Sequence, residues 1–332
     1  MGTPIYPGFL SLVANAITPS HFVEFIPRAG YTGRRRGRVF RITVAVTMCR
    51  RQTMWWMGVA LMAGVLCPAA GESEPLKGGQ AVSSEAGRGK DGATMVLVPA
   101  GPFTMGSDEG LPNERPVHTV TLDAYYIDQY EVTLRLYRKF LEVGSQASPP
   151  TWDDEAATTV GDRPAVGMSW SAAAAYCQWA GKRLQTEAEW EKAARGTDGR
   201  RYPWGEMQPF VDIANYNRGM WVSEAVTLVP VTSGLEGMSV RHGLKGGGKS
   251  PFGLSHMAGN AAEWVADWYG RDYYQQSSEK NPSGPAAGDK RVIRGGSWVD
   301  LPAALRVTAR LSAEPDFEDR TIGFRCAMNG SK

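Results

Sequence analysis

The sequence predicts an α+β fold of short elements joined by many turns, and three observations carry that prediction. Its 332 residues include 39 Gly and 21 Pro, a turn-former content that suits a loop-rich fold and not a helical bundle. They also include 11 Trp, which need a framework able to pack large rings. Turn signals alternate closely with short runs of β-branched and aromatic residues, and few segments have helical period.

Taken in order, residues 94–98 and 117–127 read as strands. Residues 131–143 read as a helix: Thr133 is a suitable N-cap, Leu134, Tyr137 and Leu141 share a face, and Gly144 ends it. A second helix, 171–180, closes at Gly181. A third starts at Thr186, whose spacing to Glu189 forms a capping box, and runs to Gly196. Between Ser233 and Ser250 lies a glycine-rich loop containing Gly246, Gly247 and Gly248. No second low-complexity gap interrupts this stretch, so residues 93–329 are expected to form one domain.

The N-terminal part reads as an address. Residues 54–66, MWWMGVALMAGVL, carry no charge; they are short for a membrane span and sized for a signal-peptide core. Arg50 and Arg51 precede them, and Ala69, Ala70 and Gly71 follow. Residues 48–70 are therefore expected to be a secretory signal, followed by a polar linker at 71–92. Residues 1–47 are either a misread start or a basic extension. The expected location is outside the cytoplasm, periplasmic or extracellular, with no membrane span in the mature protein.

The formal charge of +2 averages two unlike regions. Residues 1–71 hold eight arginines and one acid, whereas residues 72–332 hold 28 basic and 33 acidic residues, a net −5. An acidic body gives no electrostatic reason to bind nucleic acid or an anionic membrane.

Several segments then resemble one family. MVLVPAGPFTMG (95–106), PVHTVTLDAYYIDQYEVT (116–133) and YCQWAGKRLQTEAEWEKAARG (176–196) are similar to the sulfatase-modifying factor, or formylglycine-generating enzyme, family. So are YPWG (202–205), GLSHMAGNAAEW (253–264), RGGSW (294–298) and GFRC (323–326), in the same order over roughly 235 residues. The resemblance implies an irregular α+β fold related to C-type lectins. It also implies oxidation of a sulfatase cysteine to formylglycine, with oxygen and with copper held by two cysteines shortly after GGS[WY]. Here that stretch reads Trp298-Val299-Asp300-Leu301-Pro302-Ala303-Ala304-Leu305, without Cys or Met, and Asp300 and Leu305 stand where the resemblance puts the two cysteines. Cu(I) needs thiolate or thioether ligands, so copper and the cysteine oxidation are not expected.

The resemblance implies further sites. It pairs Cys177 with Cys326, as suits an exported protein. It places calcium on His256, the carbonyls of Gly259 and Ala261, and Glu263, where His256 replaces the usual Asp or Asn; Glu263 can equally be hydrogen-bonded in a tight turn. A second calcium site would start at Asn215 and the carbonyl of Tyr216, with Glu224 nearby. A peptide or protein ligand is the expected partner, in a groove flanked by Arg294, Trp298, Asp300, Arg306 and Arg310. The other reading is that Trp298 is core and the arginines pair with acids such as Asp316 and Asp319. His118 reads as a strand residue, His242 as a loop residue, and Glu187, Glu189 and Glu191 as capping and surface charge. Two functions stay open: a non-catalytic or repurposed binding protein, and an oxidoreductase acting on a peptide, either formylglycine-generating or like the family's pyoverdine-maturation branch.

Overall fold

The computed structural model describes residues 89–144, 149, 161–210, 213–217, 227–233 and 248–330. The chain divides into two units, 1–71 and 72–332, and every described residue belongs to the second. The expected signal segment, most of the linker, most of the glycine-rich loop, His242 and Glu224 lie outside the described residues.

Ten strands and three α-helices make up the described body. β1 (Met95–Val98), β4 (Tyr125–Asp128), β10 (Cys326–Asn329) and β5 (Arg183–Leu184) form one sheet in the order β1-β4-β10-β5. β2 (Gly101–Met105) and β3 (His118–Leu122) pair as an antiparallel ribbon. β8 (Leu311–Ala313), β7 (Arg291–Arg294), β6 (Ala262–Trp268) and β9 (Ile322–Phe324) form a second sheet in that order, with β6 and β9 parallel. The segment predicted as one strand at 117–127 is two, in different sheets. Asp123 and Ala124 break it because their backbones bond elsewhere: Asp123 N donates to Asn281 Oδ1, and Ala124 O accepts from Gly330 N.

The helices follow the caps in the sequence. α1 (Leu134–Val143) starts at Thr133, which accepts from Leu136 N, and ends at Gly144. α2 (Trp170–Trp179) begins one residue earlier than predicted because Ser169 caps it, accepting from Ala172 N. α3 (Glu187–Arg195) carries the full capping box of Thr186 and Glu189 and ends at Gly196, φ +73°.

Two clusters form the main core. In one, Tyr137 of α1 stacks on Tyr176 of α2 at 5.5 Å, and Phe140 and Phe324 meet Tyr176 edge-on. The Cys177–Cys326 disulfide ties α2 to β10 beside them, with a Cα–Cα distance of 5.6 Å. Its 149-residue separation contributes about 5 kcal/mol on loop-closure entropy alone. The other cluster surrounds α3, all nine residues of which are buried, five of them charged. A buried helix of this composition persists because its charges are answered, not because its face is apolar.

Candidate functional site

The charges on α3 are answered partly by near neighbours and partly by groups far away in sequence. Glu187 accepts from Arg310 Nε at 2.7 Å and Nη2 at 2.8 Å. Glu191 accepts from Arg294 Nη2 at 2.6 Å, from Arg195 at 3.1 Å and from Gly106 N. Arg183 holds Glu189 bidentately, and Lys192 donates to the carbonyls of Pro99 and Gly101. Burial and the two arginines act oppositely on Glu187, and the arginines win, holding its carboxyl below the usual range.

This network corrects two expectations. Arg294 and Arg310 do not line a groove: both are buried and ion-paired, and their acids are Glu187 and Glu191, not Asp316 and Asp319. Glu187 and Glu191 are correspondingly not surface charges, although Glu189 is the capping residue expected. Arg306 is also committed, forming a bidentate pair with buried Glu114 at 2.6 and 2.7 Å, joined by Thr308.

The turn after β7 is set by Gly295 and Gly296, at φ +91° and +65°. A Cβ on Gly295 would stand 3.1 Å from the Trp190 ring, and one on Gly296 3.0 Å from Ala304 O, so neither position accommodates a side chain easily. Ser297 then donates from its N at 2.8 Å and its Oγ at 2.6 Å to Asp300 Oδ2, closing the turn. Trp298 N donates to Asn260 O, which fixes the start of the loop. Its indole is half-buried, Arg320 lies over it at 5.8 Å, and its Nε1 has no partner among the described residues. Val299 and Leu301 are 38% and 56% exposed. Leu305, by contrast, is 0% exposed and packs with Tyr202, Trp204, Ile213 and Tyr216. Of the five predicted groove residues, Arg294 and Arg310 are buried, whereas Trp298, Asp300 and Arg306 are partly exposed.

The two segments expected to hold calcium are brought together. Asn260 N donates to Asn215 O at 2.8 Å, and Asn215 Nδ2 donates to Asn260 Oδ1 at 3.1 Å. Gly259, at φ +79°, lets these backbones meet; a Cβ there would come within 2.4 Å of Asn215 O. Tyr216 is buried and its hydroxyl donates to Pro209 O. His256 sits at φ +54°, is buried, and has no partner for Nδ1 among the described residues. That backbone conformation is one that Asn, Asp and His adopt more readily than other residues.

Glu263 is fully engaged. Arg325 meets both of its carboxylate oxygens, at 2.6 to 2.9 Å, and Trp190 Nε1 donates to Oε2 at 2.9 Å. Glu263 is therefore hydrogen-bonded, as the alternative had it, but within strand β6 and not in a tight turn. Beside it, Glu131 accepts from Asn260 Nδ2 and Ala261 N, and its carboxyl is pushed up to about 8 by burial and by the Glu263 charge. Burial and the Arg325 charge hold the His256 ring down to about 4. Among the described residues, no group of three or more His, Cys, Asp or Glu side chains is arranged to hold a metal. A hard cation prefers oxygen. Besides the carbonyls of Gly259 and Ala261, this donor set offers a neutral imidazole and a carboxylate whose two oxygens are taken by Arg325 and Trp190, and these side chains do not fit calcium.

Sequence reasoning missed Glu131, Asn260 and Arg325 as partners. All three lie in the quoted motifs, so acids and amides recurring inside otherwise apolar motifs were the available signal.

Residues 79–330 match the family described as sulfatase-modifying factor enzyme 1-like domain, and the chain belongs to that family. It is 34% identical over 283 residues to formylglycine-generating enzyme of Streptomyces coelicolor, covering 70% of this chain and 88% of that protein. It is 35% identical over 254 residues to serine/threonine-protein kinase pkn1 of Chlamydia pneumoniae, covering 71% of this chain but 38% of that protein. The chain thus spans well under half the length of that relative. The structure of PvdO from Pseudomonas aeruginosa superposes with a TM-score of 0.60 at 26% identity, covering 74% of this chain and all of that one. The irregular α+β fold is therefore the family's fold.

Proposed function

We propose that the chain is an exported formylglycine-generating enzyme-like protein that binds a peptide beside Trp298 and does not oxidise cysteine. The observation that carries this reading is what stands where the resemblance puts the copper ligands. Asp300 spends a carboxylate oxygen on Ser297, and Leu305 is sealed in an aromatic cluster. Neither offers sulfur, and the two cysteines of the described body are bonded to each other. A half-buried indole with a guanidinium over its face and two exposed aliphatic side chains beside it suits a peptide that offers apolar side chains and a carboxylate.

Calcium enters no part of this proposal. The positive charge that Glu263 requires is assigned to Arg325, which is already in place. The similarity to formylglycine-generating enzyme favours a second reading, an oxidoreductase that acts on a peptide through some other centre. The binding reading is tested by selecting a displayed random-peptide library on the protein and measuring the enriched peptides against Trp298→Ala. About tenfold weaker binding by the variant is expected. Equal binding to both proteins contradicts a ligand site at Trp298.

A further inference from the structure

A cleft of about 700 Å³ lies away from the residues considered so far, in the size range of small-molecule sites. It shares no lining residue with the Trp298 surface or the calcium segments. Its walls come from the turn between β1 and β2 at Ala100, the break between β3 and β4 at Leu122–Tyr125, the cap of α3, the end of β10, and the 280–282 loop.

The lining is ionic yet neutral as a whole. Arg183 is bound bidentately by Glu189 at 2.7 Å, and Lys280 faces Asp123 at 3.6 Å. Each charged group is held by another: Asn329 Oδ1 accepts twice from Arg183, and Asn281 Nδ2 donates to Asp123. Unspent hydrogen-bonding capacity remains at the edges of these pairs. Asn329 Nδ2 and the Thr186 hydroxyl proton have no acceptor among the described residues, and Lys280 and Asp123 are each 68% exposed. Between the polar groups stand small apolar surfaces from Ala100, Leu122, Ala124 and Pro282.

This lining selects among ligand classes. A strongly charged ligand gains little where each cation already has its acid. A peptide strand has little edge to join: β4 and β10 are interior strands of their sheet, and β5, the edge strand beside the cleft, is only two residues long. The outer side of β3 is also taken, with Thr121 N donating to Glu279 O and Asn281 N to Thr121 O. An aromatic anchor finds no pocket partner, because the Tyr125 ring is buried and its hydroxyl donates to Glu189 O. What fits is a neutral molecule that presents hydroxyls needing both donors and acceptors, separated by apolar C–H faces. We infer that this cleft is a binding site for a saccharide of one to a few rings.

The test is saturation-transfer NMR on the protein with mannose, galactose, N-acetylglucosamine and their disaccharides, with Gly-Ser-Gly as the peptide control. Ala100 is exposed on a turn, so Ala100→Trp fills the cleft without touching its ion pairs. Lys280→Ala removes one rim donor from the surface. The expected result is saturable binding of at least one sugar, weakened about tenfold or more by Ala100→Trp and less by Lys280→Ala, with melting temperatures unchanged. Three results overturn the inference: no sugar signal at about 10 mM, sugar binding of wild-type strength in Ala100→Trp, or binding of the peptide control alone.

Discussion

Arg325→Met is expected to destabilise the protein by about 3–5 kcal/mol, because it strands a buried carboxylate. Glu263 is 0% exposed, and Arg325 supplies three of its four hydrogen bonds. The same guanidinium also donates to the carbonyls of Asp128, Gln129 and Ser255, so three segments lose a common partner. Urea denaturation measures the loss, and the double variant Arg325→Met/Glu263→Leu separates charge from packing. The double variant should recover a substantial part of the stability, since it buries no unpaired charge. A cost below about 1 kcal/mol for Arg325→Met would mean that the pair contributes little, against what is expected of a buried pair with one partner removed.

The second large effect is a stability plateau with two shoulders. The Glu131 carboxyl is raised from 4.5 to about 8 in the fold. The folded state therefore holds its proton more tightly, and the stability it contributes is complete below about pH 4.5 and lost as pH rises through 8. The His256 ring is lowered from 6.5 to about 4, so its contribution is present above pH 6.5 and lost as pH falls through 4. The two slopes oppose each other between about pH 4.5 and 6.5, where these two contributions should nearly cancel. From pH 6.5 to 8 it should fall by roughly 1.4 kcal/mol per pH unit from Glu131 alone. Asp128 and Asp267, both raised by burial, act in the same direction, so the comparison is between wild type and variants. Glu131→Gln should remove its share of the alkaline decline, and His256→Asn the acid shoulder. Parallel pH profiles for wild type and Glu131→Gln would show that Glu131 does not titrate as the fold implies.

Local signals in the sequence were legible and distant ones were not. Thr133, and Thr186 with Glu189, mark helix starts because a cap involves residues three apart. The family order of GGSW and GFRC likewise locates the turn and the disulfide strand. The burial of α3 could not be read from EAEWEKAAR, which looks like a solvated face. Its acids are neutralised by Arg294 and Arg310, 103 and 123 residues away, and no local pattern encodes such partners. The same holds for Glu263 and Arg325, 62 residues apart: the glutamate was legible as important, but its partner was not. The break at Asp123 escaped notice because the residues on both sides are good strand formers and only tertiary bonds to Asn281 and Gly330 divide them.

We propose that this member of the family does not oxidise thiols at the position where the copper ligands would stand. The most direct test is to incubate the purified protein with Cu(I), oxygen and a peptide carrying Cys-x-Pro-x-Arg, then weigh the peptide by mass spectrometry. Asp300 and Leu305 provide no sulfur ligand, so the peptide should keep its cysteine, apart from disulfide formed equally without protein. An aldehyde product that requires the protein would contradict the claim and show that the chain oxidises cysteine through a different centre.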